Sequence, residues 1–187
     1  MPRLHIFLDS PASNELTKTE LDIGMITQPY VDIAHCIRAG FCVSHALREW
    51  VRITIGFNEL DSLSLTLDPT TIRYLGTDER SILQVLLRAQ ESRRHKKAKV
   101  PYGVSISEVP MLEELRTNVN EETLLLIPHE KATWKKKLGE STKLAMYCPL
   151  FQPRIQNNLQ ASLMAFYQDQ IPRDVAILEL VHALDNL

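Results

Sequence analysis

The sequence predicts an α/β domain: a mainly parallel sheet with helices on both faces. Three observations carry that expectation. Short β-branched or aliphatic runs alternate with longer segments of helical period. Thr123–Ile127, TLLLI, is continuously apolar, as a strand covered on both faces must be. The 187 residues hold no internal repeat and no low-complexity stretch, so residues 1–187 are read as one domain.

Leu4–Leu8, LHIFL, is the first strand. A polar stretch with Pro11, Ser13, Asn14, Gly24 and Pro29 follows and reads as a long loop, a place where function often sits. Tyr30 to His45 reads as a helix with few polar positions, hence buried. Val51–Phe57, VRITIGF, is β-branched and strand-like. Ser64–Asp68 and its neighbours alternate, as in a half-exposed strand. Thr77 suits a helix N-cap, and Asp78 and Glu79 complement the positive end of the helix that follows. Ile82, Val85, Leu86 and Ala89 give that helix one apolar face. Pro101 and Gly103 end its basic continuation. Val109–Leu115 reads as a short helix and Thr123–Ile127 as a buried strand. His129–Thr142 reads as a polar, basic loop, and Lys143–Tyr147 as a strand. Pro153–Phe166 and Asp174–Leu184 are read as the last two helices.

Composition narrows the function. Hydrophobic content is 44% and charged content 24%, ordinary for a soluble globular chain. No apolar run approaches bilayer length, and MPRLHIFLDS lacks the apolar core of a signal peptide. Three Cys argue against a disulfide framework and for a cytoplasmic protein with reduced thiols. The six His and three Cys show no metal-binding spacing, so no metal is expected. Six Gly form neither a P-loop nor a dinucleotide fingerprint. Cys148, before Pro149 at the end of a strand, reads better as a core thiol than as a nucleophile.

A net charge of −2 leaves nucleic-acid binding to local patches. Two are candidates: Arg93, Arg94, Lys96, Lys97 and Lys99, and Lys131, Lys135, Lys136 and Lys137 around Trp134. Such cations neutralise phosphates, and Trp134 could stack on an unpaired base. A solvated helix end and a loop explain the same residues equally well. Asp32, His35 and Arg38 sit on a buried helix, where they form an internal ion pair or face a cleft.

Two segments together resemble a known family. VDIAHCIRAGFCVSHALR (Val31–Arg48) precedes a β-branched strand, and IRYLGTDERSI (Ile72–Ile82) opens the next helix. Ser44-His45 and the Asp-Glu-Arg-Ser segment, with Val181, His182 and Asp185 near the end, resemble the archaeal tRNA pseudouridine N1-methyltransferases and their bacterial relatives in the SPOUT superfamily. The resemblance covers roughly the first hundred residues. It implies a C-terminal trefoil knot, S-adenosylmethionine as cofactor, a homodimer, and methyl transfer to N1 of a pseudouridine in tRNA or a related RNA. It implies Asp32 as the base, and Arg38 or Arg80 as stabilisers of charge on the uracil ring. Arg80 could also face the RNA. Backbone of the C-terminal loops would hold the cofactor. The matching positions are Ile127, Pro128 and His129, then Tyr147 and Cys148, then Ala176 or Ile177. Relatives carry Gly-Asp-His or Ser-Asp-His where this chain has Met146-Tyr147-Cys148-Pro149. Two alternatives follow: an RNA-binding relative without methyl transfer, or a methyltransferase with another substrate.

Overall fold

The computed structural model describes residues 3–44, 46–57, 59–60, 63–95, 98–130, 132–138, 143–150 and 163–186, the side chains of Lys136, Leu163 and Phe166 excepted. The chain runs β1 (Arg3–Ser10), α1 (Lys18–Ile23), α2 (Gln28–Phe41), β2 (Cys42–Val43), β3 (Ala46–Leu47), β4 (Val51–Phe57) and β5 (Leu63–Leu67). It continues α3 (Glu79–Arg94), β6 (Val104–Ser107), α4 (Met111–Asn118), β7 (Thr123–His129), β8 (Lys143–Pro149), β9 (Leu163–Gln168) and α5 (Arg173–Asp185).

Seven strands form one sheet in the order β6-β5-β4-β1-β8-β7-β9. The run β4-β1-β8-β7-β9 is parallel, while β5 and β6 add antiparallel at one edge. The expected mainly parallel α/β sheet is therefore present. Alternate residues of β1 divide between two cores. Leu4, Ile6 and Leu8 join buried residues of α2, α3 and α5. Phe7 joins Met111 and Leu115 of α4, with Leu125, Ala145 and Tyr147. The two-residue period of a strand thus dictates a helical layer on each face.

Close approach of helix to sheet depends on small residues. A methyl group on Gly40 of α2 would lie 3.1 Å from Ile53 Cδ1 and 3.2 Å from Ile6 Cδ1. One on Gly56 of β4 would lie 2.4 Å from Met111 Cβ, so α4 rests directly on that strand. Arg48 closes the carboxyl end of α2. Its Nη1 donates to the carbonyls of Ala39, at 3.3 Å, and Cys42, at 2.9 Å. Its Nε and Nη2 reach the Asp185 carboxylate of α5 at 3.0 and 2.9 Å. Helix-end carbonyls, a cation and an anion are satisfied together.

Several sequence expectations need correction. The first long helix ends at Phe41, not at residue 45; Cys42–Val43 pairs with Ala46–Leu47 as a small hairpin. The loop before it contains α1, capped by Thr17 and Glu20 in a reciprocal pair of hydrogen bonds. Asp78, not Thr77, caps α3, accepting from Ser81 N at 2.8 Å. β5 is buried along most of its length, because β4 and β6 flank it and side chains cover both faces. β6 was not anticipated. Leu163–Phe166, read as helical, lies in strand β9, and the remainder of that segment, residues 153–162, lies outside the described residues. LMAFYQ has no strong alternation, so its pairing with β7 decides its conformation. His45, Lys96, Lys97 and Lys131 also lie outside the described residues. Among the described residues, no helix is long and apolar enough to cross a membrane.

His5 on β1 contacts Thr54 Oγ1 at 2.8 Å and stacks on Phe7 at 4.0 Å. Burial first, and the charge on Arg52 second, lower its pKa from the ordinary 6.5 to about 3. The unfolded chain therefore takes up a proton below about pH 6.5 that the folded chain refuses until about pH 3. Stability rises with pH through that window and is lost as pH falls through it, by at most about 1.4 kcal/mol per pH unit. His5→Gln should flatten the pH dependence of urea unfolding between about pH 4 and 6. Equal slopes in both proteins would refute this linkage.

Candidate functional site

In a parallel sheet the carboxyl ends of the strands share one edge, where ligands of open α/β folds bind. Here that edge is tied together by main-chain bonds. Leu150 N, after β8, donates to Asp9 O of β1 at 2.9 Å. Asp169 N, after β9, donates to His129 O of β7 at 3.0 Å. Arg173, the first residue of α5, locks the arrangement. Its Nε donates to Pro149 O at 3.0 Å and its Nη1 to Asp169 O at 2.8 Å. Its guanidinium also lies 5.7 Å from the centre of the Tyr167 ring. A rigid fork of donors suits several carbonyls at once, which an ammonium would not.

A cleft of 360 Å3 opens beside this clamp. Asp32 and His35 of α2 line one side, and Pro149, Asp169, Arg173 and Asp174 line the other. Its size lies in the range of small-molecule sites. Asp32 Oδ1 accepts from Gln28 Nε2 at 2.7 Å, one helical turn earlier, which orients it. Asp169 Oδ1 is buried with no hydrogen-bond partner among the described residues. A buried carboxylate oxygen without a donor is costly, so a donor brought by a ligand would be favoured there. Three carboxylates stand against one guanidinium that is already committed to carbonyls, so the cleft favours a cation. A larger hollow of 590 Å3 lies at the opposite edge, among Arg3, Glu49, Asp68 and Lys143, where strands begin rather than end. Among the described residues no group of three or more His, Cys, Asp or Glu could hold a metal ion.

The sequence-derived site residues are only partly gathered. Asp32 lines the cleft; Arg38 and Arg80 do not. Arg38 is exposed further along α2, and Arg80 pairs with Asp22 at 3.2 Å. None of the seven positions expected to hold the cofactor lines the cleft. Tyr147 and Cys148 are fully buried. Tyr147 donates its hydroxyl to Asp9 Oδ2 at 2.8 Å, and its carbonyl accepts from Tyr167 at 2.8 Å. Burial pushes the Cys148 thiol up to about 12, so it is no nucleophile at neutral pH. Ala176 and Ile177 pack in the core from the second turn of α5. Ile127 and Pro128 are half-buried and His129 exposed at the end of β7, and of these only the His129 carbonyl is tied to Asp169.

The described members of the two basic clusters lie on different elements and are partly engaged within the chain. Arg93 Nη1 lies 3.8 Å from Glu15 Oε1, and Arg94 pairs with the same carboxylate. Their helix packs against α2, α1 and β6, while the turn Trp134–Lys136 packs against β9 at one edge of the sheet. Trp134 is 4% exposed and sits in the core, so it offers no face to a base. Lys135 lies over its ring at 5.4 Å, and Lys137 donates to Met164 O at 2.6 Å.

Asp169, Arg173 and Asp174 were not anticipated. Their signal is the segment Gln168–Asp174, QDQIPRD, a polar turn into a helix with Pro172 at its N-cap. It becomes visible only once the preceding segment is known to be a strand. No family model matches the chain, and no curated protein matches it.

Replacing Arg173 by Met should lower stability by about 2 kcal/mol, because buried carbonyls lose a charged donor. Arg173→Lys should recover little of it. Urea unfolding midpoints decide: full recovery by Lys would mean that charge, not the fork, holds the edge.

Proposed function

We propose that the protein is an S-adenosylmethionine-dependent RNA methyltransferase whose substrate is the N1 position of a pseudouridine in tRNA or a related RNA. The observation that carries this reading is the carboxylate-lined cleft at the joined carboxyl ends of β8 and β9, with Asp32 facing it. The cofactor is a sulfonium that also bears an ammonium group, and a cleft rich in carboxylates suits it. Asp169 and Asp174 would hold its donor groups, with the unpartnered Asp169 Oδ1 the natural acceptor. When bound, it supplies a methyl group already activated for displacement.

The chain's own residues then have two tasks. One is positioning, which the Arg173 clamp serves by fixing the loops after β8 and β9. The other is removal of the proton on pseudouridine N1, for which the Asp32 carboxylate is the base, oriented by Gln28. The reading carries with it a C-terminal trefoil knot and a homodimer. One observation favours the second reading, an RNA-binding relative without methyl transfer: none of the seven resemblance-derived cofactor positions lines the cleft.

Calorimetric titration separates the two. S-Adenosylmethionine should bind the purified chain with a Kd in the micromolar range, and Asp169→Asn should weaken it about tenfold. Asp32→Asn should keep that affinity and lose at least about a hundredfold in methylation rate. Absence of binding by a folded protein would contradict the reading and leave the second one.

A further inference from the structure

A groove separate from the cleft, of 480 Å3, runs along the start of α3. Four cations line it, Arg73, Arg80, Arg88 and Lys99, with Asp78 the only carboxylate among its lining residues. Two aromatic rings stand with them. Tyr74 is 86% exposed and Tyr102 is 68% exposed. Rings held this far out of the core are free to bury their faces against a partner. Tyr74 is also the only non-glycine residue at positive φ among the described residues, at 64°. A bulky side chain is strained there, and such strain concentrates where ligands are held. The Arg73 guanidinium lies over the Tyr102 ring, 5.0 Å from its centre, a cation–π contact. Arg73, Arg88 and Lys99 make no ion pair among the described residues, unlike Arg93 and Arg94.

We propose that this groove binds a single-stranded RNA segment. Arg73, Arg88 and Lys99 neutralise its phosphates, and Tyr74 and Tyr102 stack on its unpaired bases. A chain with net charge −2 must attract a polyanion through a local patch of this kind. Cations interleaved with exposed aromatics are the usual surface for unpaired nucleotides. An acidic peptide would satisfy the cations but leave the rings without a role. The position fits as well. Asp78 and Arg80 line the groove, Glu79 between them lies 3.7 Å from His35 Nε2, and His35 lines the cleft. A nucleotide turned out of a strand in the groove is thereby delivered beside Asp32. That last step rests on the methyl-transfer reading; the chemistry of the groove does not.

The test uses the full chain and a fluorescein-labelled oligouridylate of about ten nucleotides, followed by anisotropy. S-Adenosylmethionine binding is measured on the same preparations. Arg73→Glu with Arg88→Glu should weaken binding at least about tenfold. The same change should flatten its salt dependence by about 0.7 in log–log slope for each phosphate no longer neutralised. Tyr74→Asn, which keeps a residue tolerant of positive φ, and Tyr102→Ala should each weaken it about fivefold or more. Failure of the wild-type chain to bind, or equal affinity in the groove variants, overturns the groove. So does weakening by the charge variants alone and not by either tyrosine variant, which would leave a plain anion patch. Groove failure with cofactor binding intact leaves the methyl-transfer reading standing. Groove-dependent RNA binding without cofactor binding supports the groove and sinks that reading instead.

Discussion

β1 is buried on both faces, so every peptide group along it must find a partner within the sheet. It does so between β4 and β8, parallel to both, over almost its whole length. That single requirement orders the rest of the molecule. Parallel neighbours need crossovers, and the one from β1 to β4 runs through α1 and α2. Parallel direction also sends the carboxyl ends of β1, β8, β7 and β9 to one edge. Main-chain bonds between Asp9 and Leu150, and between His129 and Asp169, join those ends. Arg173 completes the junction from α5. The cleft is thus a consequence of how the central strand satisfies its hydrogen bonds.

Helix α2 links packing to chemistry. Gly40 lets its carboxyl half sit against β1 and β4, and Arg48 fixes that end to α5 through Asp185. With the buried half held this way, the amino-terminal half projects Asp32 and His35 past the sheet edge into the cleft. His35 then meets Glu79 at the start of α3, where the cationic groove begins. A buried network pins the segment between β1 and α2 to the same region. Gln90 Oε1 accepts from Leu16 N at 3.0 Å, while its Nε2 donates to the Tyr30 hydroxyl at 2.9 Å. Burial drives the Tyr30 hydroxyl up to about 12, so it remains a neutral hydrogen-bonding group throughout the useful pH range.

Much of the fold was legible from residue patterns. VRITIGF is β4 residue for residue, and TLLLI opens β7 with its first four residues buried, because β-branched or unbroken apolar runs of that length have few other uses. Asp32 was legible as a polar group on a buried helix, which must face either a partner or a cleft. The misses share a physical cause. Leu163–Gln168 takes its conformation from β7, which lies far away in sequence. Trp134 looked like a base platform beside lysines, yet its apolar area is worth more in the core than in water. Arg173 and Asp169 form part of a site only after β8 and β9 are brought together. Tyr74 and Tyr102 are well separated along the chain and meet only through the fold around α3.

The most direct measurement is a nitrogen–proton correlation spectrum of the labelled protein, titrated with S-adenosylmethionine. The cleft at the junction of β8, β9 and α2 predicts shifts centred on the amides of residues 32–36, of Leu150, and of 169–171 and 173–174. Shifts centred instead at the opposite edge of the sheet, or no shifts at saturating cofactor, would contradict it.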